Sequence, residues 1–519
     1  MKSEADAAVR RTTTPADALA EAYAAIDIGS NSFRLEIGQL PQGLYRRLDY
    51  LKETVRLGAG LDADGLLSEE AMQRGLDCLA RFAQRVRGFA PARVRAVATQ
   101  TLREARNRDA FLQRGQAVLG LPIEVVSGRE EARLIFAGVA RLQPSDVPRL
   151  VVDIGGRSTE MILGTGRVPR RAESFQVGCV SLSMKYFGDG RYSAAAFRAA
   201  QIAAGAELEE ALAPFAPAHW REALGSSGTA GAVSELLATN GLSDGAITPH
   251  GLRWCIEQCL RAGRVDRLAL AGLKNDRRPV FAGGVAILYT LATHFGIKSL
   301  QPARGALRQG VIFELEERLV SGDGAAASRD LREDTVRELQ RRFDVDLPQA
   351  RRVCRLALEL HAGLRPGAER ESRRELAWAA SLHELGMLVS HHDHHRHSAY
   401  LLAHADAAGF SQSQQRRLAM LVLGQRGGLR KLEDALADEG FAWQLLCLRL
   451  AVLLCHARQR PPASALSFGN GGRSASIGFS AAWARAHPRT VFLLGEEQAH
   501  WERAAAPLRL ALPAFAAGV

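Results

Sequence analysis

The chain has 519 residues, of which 47% are hydrophobic and 24% charged, with a formal net charge of +11 and an isoelectric point near 9.7. That length exceeds one core and predicts three or four domains of an ordinary globular protein, not a disordered or fibrous one. No stretch is apolar enough to span a bilayer, seven cysteines without a C-x-x-C pair make neither a disulfide framework nor a zinc ribbon, and residues 1–20, with no apolar h-region, are not expected to act as a typical secretory signal.

The expected setting is therefore a reducing cytoplasm, with Cys255 and Cys259 as buried thiols one helical turn apart. The positive charge favours a polyanionic partner: nucleic acid, an acidic membrane surface touched peripherally, or a phosphate polymer. Only six of the 67 basic residues are lysine, and arginine's planar fork suits phosphate oxygens, although an Arg- and Ala-rich composition alone gives the same bias.

Residues 1–20 read as a disordered tail. Residues 21–147 and 148–320 alternate strand-like and helical runs, the pattern of two α/β lobes. In the first lobe Ala24 to Ile26 leads into a tight turn and Phe33, Leu35 and Ile37 lead out. Glu69 to Val86 is an amphipathic helix, Val94 to Thr99 a strand, Arg108 to Val118 a helix and Ile123 to Val126 a strand. The second lobe repeats the logic through Leu150 to Leu163, the helical Ala194 to Leu212, a loop at Gly225 to Thr229, and the run Val280 to Gly284 ahead of a helix. Ser321-Gly322-Asp323-Gly324 marks a linker within 320–328, and residues 328–519 read as an all-α domain whose most apolar stretch, Trp443 to Cys455, is a buried helix.

One pattern occurs twice. Asp27-Ile28-Gly29-Ser30-Asn31-Ser32 and Asp153-Ile154-Gly155-Gly156-Arg157-Ser158 stay in register through Gly38 and Gly164. One D-x-G-x-x-S turn is an ordinary hairpin; a registered pair indicates two related halves. Glycines let backbone N–H groups approach an anion, serine hydroxyls add donors, and an aspartate at a strand end can hold a divalent cation, so each turn is a candidate phosphate cradle.

Three further features carry chemistry. Ser127 and Glu130 have capping-box spacing at a helix start, which occupies Glu130 with the helix's first N–H groups and leaves Glu131 as a candidate general base. Arg103 sits at a strand end and is a candidate phosphate contact, with a plain helix-surface charge as the alternative. Gly228 and Thr229 precede a helix and could offer an amide and a hydroxyl to an anion. The run His383, His391, His392, His394, His395 and His397 is too tight and irregular for a metal site on one helical face, and reads instead as a polar, partly cationic loop. Arg426, Arg430 and Lys431 among glycines form a basic loop.

Together AIDIGSNSFRLEIG, ATQTLREARN, VSGREEARLIFAGV, VVDIGGRSTEMILG, GSSGT, FAGGVAIL and ARGALRQGV resemble the exopolyphosphatase and guanosine pentaphosphate phosphatase (Ppx/GppA) family. The resemblance implies two actin-like lobes of the sugar kinase and heat-shock ATPase type, a helical C-terminal domain similar to an HD domain, and a homodimer. It implies Glu131 as the catalytic carboxylate, and Asp27, Asp153 and Glu160 around Mg²⁺, with Mn²⁺ or a monovalent cation such as K⁺ as further candidates. It implies substrate contacts from Gly29, Ser30, Asn31, Ser32 and Arg34, from Gly155, Gly156, Ser158 and Thr159, and from Arg103, Gly228 and Thr229. Arg157 stands where the family usually has glycine; a positive φ there would make arginine costly, and otherwise it could add a substrate contact. The implied activity is release of terminal orthophosphate from inorganic polyphosphate, with guanosine pentaphosphate hydrolysis, an actin-like ATPase and a non-catalytic polyanion binder as rivals. Nucleic acid is the weaker candidate among polyanions.

Overall fold

The structure is a computed structural model that describes residues 21–320, 330–504 and 506–513. The tail expected at 1–20 and all but the first residue of the linker expected at 320–328 lie outside the described residues. The chain divides into two compact units, Met1–Asp330 and Leu331–Val519.

In the first unit β1 (Tyr23–Ile28), β2 (Phe33–Gln39), β3 (Arg46–Glu53), β4 (Val94–Ala98) and β5 (Ile123–Val125) form a sheet of order β3-β2-β1-β4-β5. A second sheet of β6 (Arg149–Ile154), β7 (Thr159–Thr165), β8 (Val168–Phe175), β9 (Glu222–Ser226) and β10 (Gln301–Pro302) has the order β8-β7-β6-β9-β10, the same topology. The duplication extends to detail: the register slips at Ile37/Gly38 in one sheet and at Leu163/Gly164 in the other. This is the actin-like arrangement, with a hairpin followed by parallel strands in each lobe.

Period-two burial explains how the lobes join. Ala24, Ile26 and Ile28 of β1 face a core with Phe82 and Phe111, while Tyr23 and Ala25 face a second core that also takes Val151 and Ile162 of the other sheet. The shared core is closed by two helices, Gly128–Leu142 and Leu307–Val320. Their crossing is so close that a Cβ on Gly310 would lie 1.8 Å from Leu134 O, so only glycine fits. That approach delivers Arg308 and Gln309 to the buried Glu36 of β2, at 3.0 and 2.5 Å.

Three local expectations need correction. Gly225 and Ser226 belong to β9, not to a loop, and the helix Ser227–Thr239 starts immediately after. Val280 to Gly284 lies inside the helix Arg278–His294; Gly283 is tolerated there because Ser183 Oγ would be 2.5 Å from any Cβ it carried. Strands β3 and β8 were not expected, since their charged sequences carry no clear alternation.

The second unit is helical, and its helix Glu439–Leu454 is buried almost throughout, as expected for the apolar stretch. It is not all-α: β11 (Leu466–Asn470), β12 (Ser474–Phe479) and β13 (Arg509–Ala511) make a small sheet. The signal was Asn470-Gly471-Gly472, a hairpin turn between short Ser- and Gly-rich strands.

Candidate active site

The two glycine turns meet. A Cβ on Gly156 would stand 2.9 Å from Ser30 Cβ and 3.3 Å from Asn31 N, so the bend after β6 lies against the bend after β1. Their carbonyls are tied back: Gly58 and Arg56 donate to Ser30 O and Asn31 O at 2.8 and 2.9 Å, Cys179 and Val180 to Gly155 O and Gly156 O at 3.0 and 2.8 Å. The N–H groups of Ser30, Asn31, Gly156 and Arg157 find no acceptor among the described residues. Successive amides with their carbonyls held elsewhere form the concave donor set that takes an anion.

Beside the bends is a cleft of about 70 Å³. It is lined by Asp27, Gly29, Ser30, Asn31, Ser32, Arg34, Glu131, Asp153, Gly155, Gly156, Ser158, Gly228 and Thr229, all named from the sequence. The lining also includes residues not proposed as site residues, among them the polar Thr99, Ser227, Arg277 and Arg308. Ser227 holds φ +69° at its helix start, an uncommon conformation for a residue with a side chain, and its hydroxyl donates to Ile154 O at 2.9 Å. Thr229 donates to the same carbonyl at 3.0 Å. Gly228 admits Arg277, whose Nη2 would lie 1.8 Å from any Cβ there.

Glu131 enters from the first turn of the helix Gly128–Leu142. Ser127 caps that helix by accepting from Glu130 N at 3.2 Å, the first half of the expected capping box. The Glu130 carboxylate is gripped by Arg133 at 2.8 and 2.7 Å, a different partner from the helix's own N–H groups, and Glu130 does not line the cleft. Glu131 does, and accepts from Arg103 Nη1 at 2.7 Å. Burial pushes the Glu131 carboxyl up to about 7; Arg103 opposes that, and the charges of Asp153 and Asp27 add to it.

The two aspartates differ. Asp27 lies 3.5 Å from Arg34 Nη1 and 3.4 Å from Arg308 Nη1. Burial, its largest influence, raises the Asp153 carboxyl above the usual range, and the charge of Asp27 adds to it. Among the described residues no group of three or more His, Cys, Asp or Glu side chains is arranged to hold a metal ion, so Asp27, Asp153 and Glu160 are not brought together as a ligand set.

Four of the expected contacts act from outside the cleft. Thr159 donates to Val177 O at 2.5 Å, and Glu160, on the same face as its cross-strand partner Asp153, accepts from Ser174 Oγ at 2.7 Å; neither lines the cleft. Burial first, then Glu131 and Asp153, pushes the Glu160 carboxyl well up. Arg103 reaches the site only through Glu131. Arg157 is not among the residues with positive φ, so its position costs no backbone strain. Its guanidinium turns to Glu104 at 2.8 and 2.7 Å and to Gly58 O at 3.1 Å, away from the cleft.

Comparison with known proteins bears on family and fold. The sequence model of the Ppx/GppA phosphatase family matches residues 39–319, and that of Ppx/GppA phosphatase, domain III, matches residues 331–498. A crystal structure of an exopolyphosphatase from Cytophaga hutchinsonii is similar over 57% of this chain and 98% of its own, at 23% identity and a TM-score of 0.52. An exopolyphosphatase-like protein is similar over 58% of this chain and 98% of its own, at 23% identity and a TM-score of 0.52. For the Ppx/GppA enzyme of Aquifex aeolicus the coverage is 56% and 98%, with 25% identity and a TM-score of 0.47. These likenesses are of fold.

Proposed function

The chain belongs to the Ppx/GppA phosphatase family, and on that premise we propose that it is an exopolyphosphatase that releases terminal orthophosphate from inorganic polyphosphate. The observation that carries the reading is the meeting of two donor-rich turns beside Glu131, in a cleft whose lining includes three arginines and no aromatic side chain. The hydroxyls, backbone amides and arginines of this lining suit phosphate oxygens.

In the proposed reaction the terminal phosphoryl group lies between the two turns. The N–H groups of Asn31 and Gly156 and the hydroxyls of Ser32 and Ser158 hold its oxygens, and Arg34, Arg277 and Arg308 offset the charge of the next phosphates. Glu131 takes the proton of the attacking water; a carboxyl near 7 is matched to that task at neutral pH. Arg103, fixed by Gln100 at 2.9 and 2.5 Å, orients the carboxylate. Mg²⁺ fits this site as an ion held by one carboxylate, substrate oxygens and water, and Asp153, with no arginine partner, is the residue that would hold it. When bound, the ion neutralises charge developing on the phosphate oxygens.

Phosphate release from long polyphosphate, guanosine pentaphosphate and ATP, each with and without Mg²⁺, tests the reading. Fastest release from polyphosphate supports it. Faster release from the pentaphosphate would move the assignment to that substrate, and tight polyphosphate binding without turnover would leave a polyanion-binding protein.

A further inference from the structure

The second unit contains a cavity of about 610 Å³ that phosphate release does not use. His383 and Gln425 line it and are 1% and 3% exposed. His383 Nδ1 lies 2.7 Å from Ala380 O. A carbonyl oxygen only accepts, so Nδ1 carries the proton and Nε2 is left as an acceptor. Burial holds the ring below its ordinary pKa and therefore neutral, and the same cause puts the neighbouring His394 at about 4, so these two histidines carry none of the positive charge expected of the run.

Gln425 Nε2 donates to His383 O at 2.7 Å and to Val422 O at 3.0 Å, which orients the amide and leaves Oε1 as a second acceptor. Neither acceptor has a partner among the described residues. Two of the cavity's carboxylates are engaged already, Glu384 by Arg458 at 2.7 Å and Glu497 by Arg449 at 2.5 Å. Leu453 and the exposed Phe492 supply apolar wall. Buried acceptors lacking donors, flanked by apolar surface in a cavity of ligand size, define what enters.

We propose that this cavity binds a flat heterocycle of the nucleobase class that brings two N–H donors to His383 Nε2 and Gln425 Oε1, with its rings against Leu453 and Phe492. Calorimetric titration of the full chain with guanosine, adenosine and inorganic phosphate tests it. Guanosine carries two N–H donor groups on its pairing edge and adenosine one. The expected result is saturable guanosine binding, at least about tenfold weaker adenosine binding, and about tenfold loss for guanosine in both Gln425→Met and Phe492→Ala. Phe492 is exposed, so its variant keeps the fold if Gln425→Met does not. No binding of either nucleoside, equal binding of both, unchanged affinity in Phe492→Ala, or displacement of guanosine by phosphate would overturn the proposal.

A separate set of contacts carries a second inference, which rests on Glu131 as the base. Arg157 binds Glu104 at 2.8 and 2.7 Å. Glu104 accepts from Gln100 Nε2 at 2.6 Å, Gln100 Oε1 accepts from Arg103 at 2.9 and 2.5 Å, and Arg103 donates to Glu131 at 2.7 Å. Each member fixes the next, from the second turn to the base. The geometry points to Arg157 as a positioning residue for Glu131. Arg157→Ala should lower kcat about tenfold with KM within about twofold, and should do nothing further in a Glu104→Ala background, as expected for members of one network. A rise in KM at constant kcat, or effects that multiply, would overturn this. Turnover surviving in Glu131→Gln would refute the base assignment instead, whatever Arg157→Ala does.

Discussion

In the first hairpin Asp27 stands directly across from Arg34; in the second, Asp153 stands across from Glu160. Backbone, turn and register match between the two, so this one pair of positions carries a reversal of charge on a shared frame. Opposite charges across a ladder attract and like charges repel. Asp27 consequently sits between two arginines, while burial pushes both Asp153 and Glu160 toward their neutral forms, with the charge of Asp27 adding at Asp153 and those of Glu131 and Asp153 adding at Glu160. Duplication supplied two cradles, and divergence at one cross-strand site made one wall compensated and the other short of positive charge. The second wall is where an added cation gains most.

The largest effect should come from Glu131, which lies close enough to feel both aspartates. Glu131→Gln is expected to cut kcat by about 10²- to 10⁴-fold with polymer binding retained, the range for loss of a general base. In the parent protein kcat should rise with pH up to about 7 and level off above it, since the base acts when deprotonated. The stability consequence has the opposite sense. A carboxyl raised in the folded state favours folding while protonated, and that contribution is lost as pH climbs from the unfolded value through about 7. Glu131→Gln should therefore be more heat-stable than the parent at pH 8 and indistinguishable from it near pH 4. A variant that loses activity and stability together at pH 8 would contradict the assignment.

Asp153→Asn comes next. Loss of an outer partner at a metal site costs about 10- to 100-fold in affinity or activity, and loss of the ligand itself should cost at least that. The measurement is the Mg²⁺ concentration for half-maximal phosphate release, expected to rise at least about tenfold. Asp27→Asn should leave that concentration nearly unchanged and lower kcat by less than about tenfold, because Arg308 keeps Glu36 as its partner at 3.0 Å. Equal Mg²⁺ dependence in the two variants would erase the distinction between the walls.

Much of this was legible because short-range rules decide it. The turns, the amphipathic Glu69–Val86 and the capped start of Gly128–Leu142 depend on neighbours in sequence, and all stand where the pattern placed them. What escaped depends on distant approach. Arg308 reaches Asp27 from 281 residues away, through a helix crossing that glycines permit, and Arg277 enters through the space Gly228 leaves. The same cause hid the role of Gly283 within a helix. Thr159 and Glu160 were placed on the right strand but given to the cleft; neither lines it, and their side chains bond to Val177 O and Ser174 Oγ. Arg157 was a departure whose backbone could be settled only by its φ and whose partner, Glu104, is 53 residues away.

The smallest effect belongs to Glu160, and it isolates the like-charge half of the comparison. The side chain is 1% exposed, does not line the cleft, and accepts from Ser174 Oγ. Glutamine can accept the same bond and carries no charge, so Glu160→Gln removes the repulsion with Glu131 and Asp153 while keeping the contact to Ser174. Phosphate release should stay within about threefold of the parent, in keeping with a residue that acts beside the reacting groups and not on them. Thermal unfolding at pH 8 should move up, by about 2–4 °C for each kcal/mol recovered in a unit of this size. As pH falls and the Glu160 carboxyl, which burial pushes well up, takes its proton in the parent, the gain should vanish. If Glu160→Gln instead abolished Mg²⁺-dependent turnover, Glu160 would be a ligand after all, and the second hairpin would hold its cation with a pair of carboxylates.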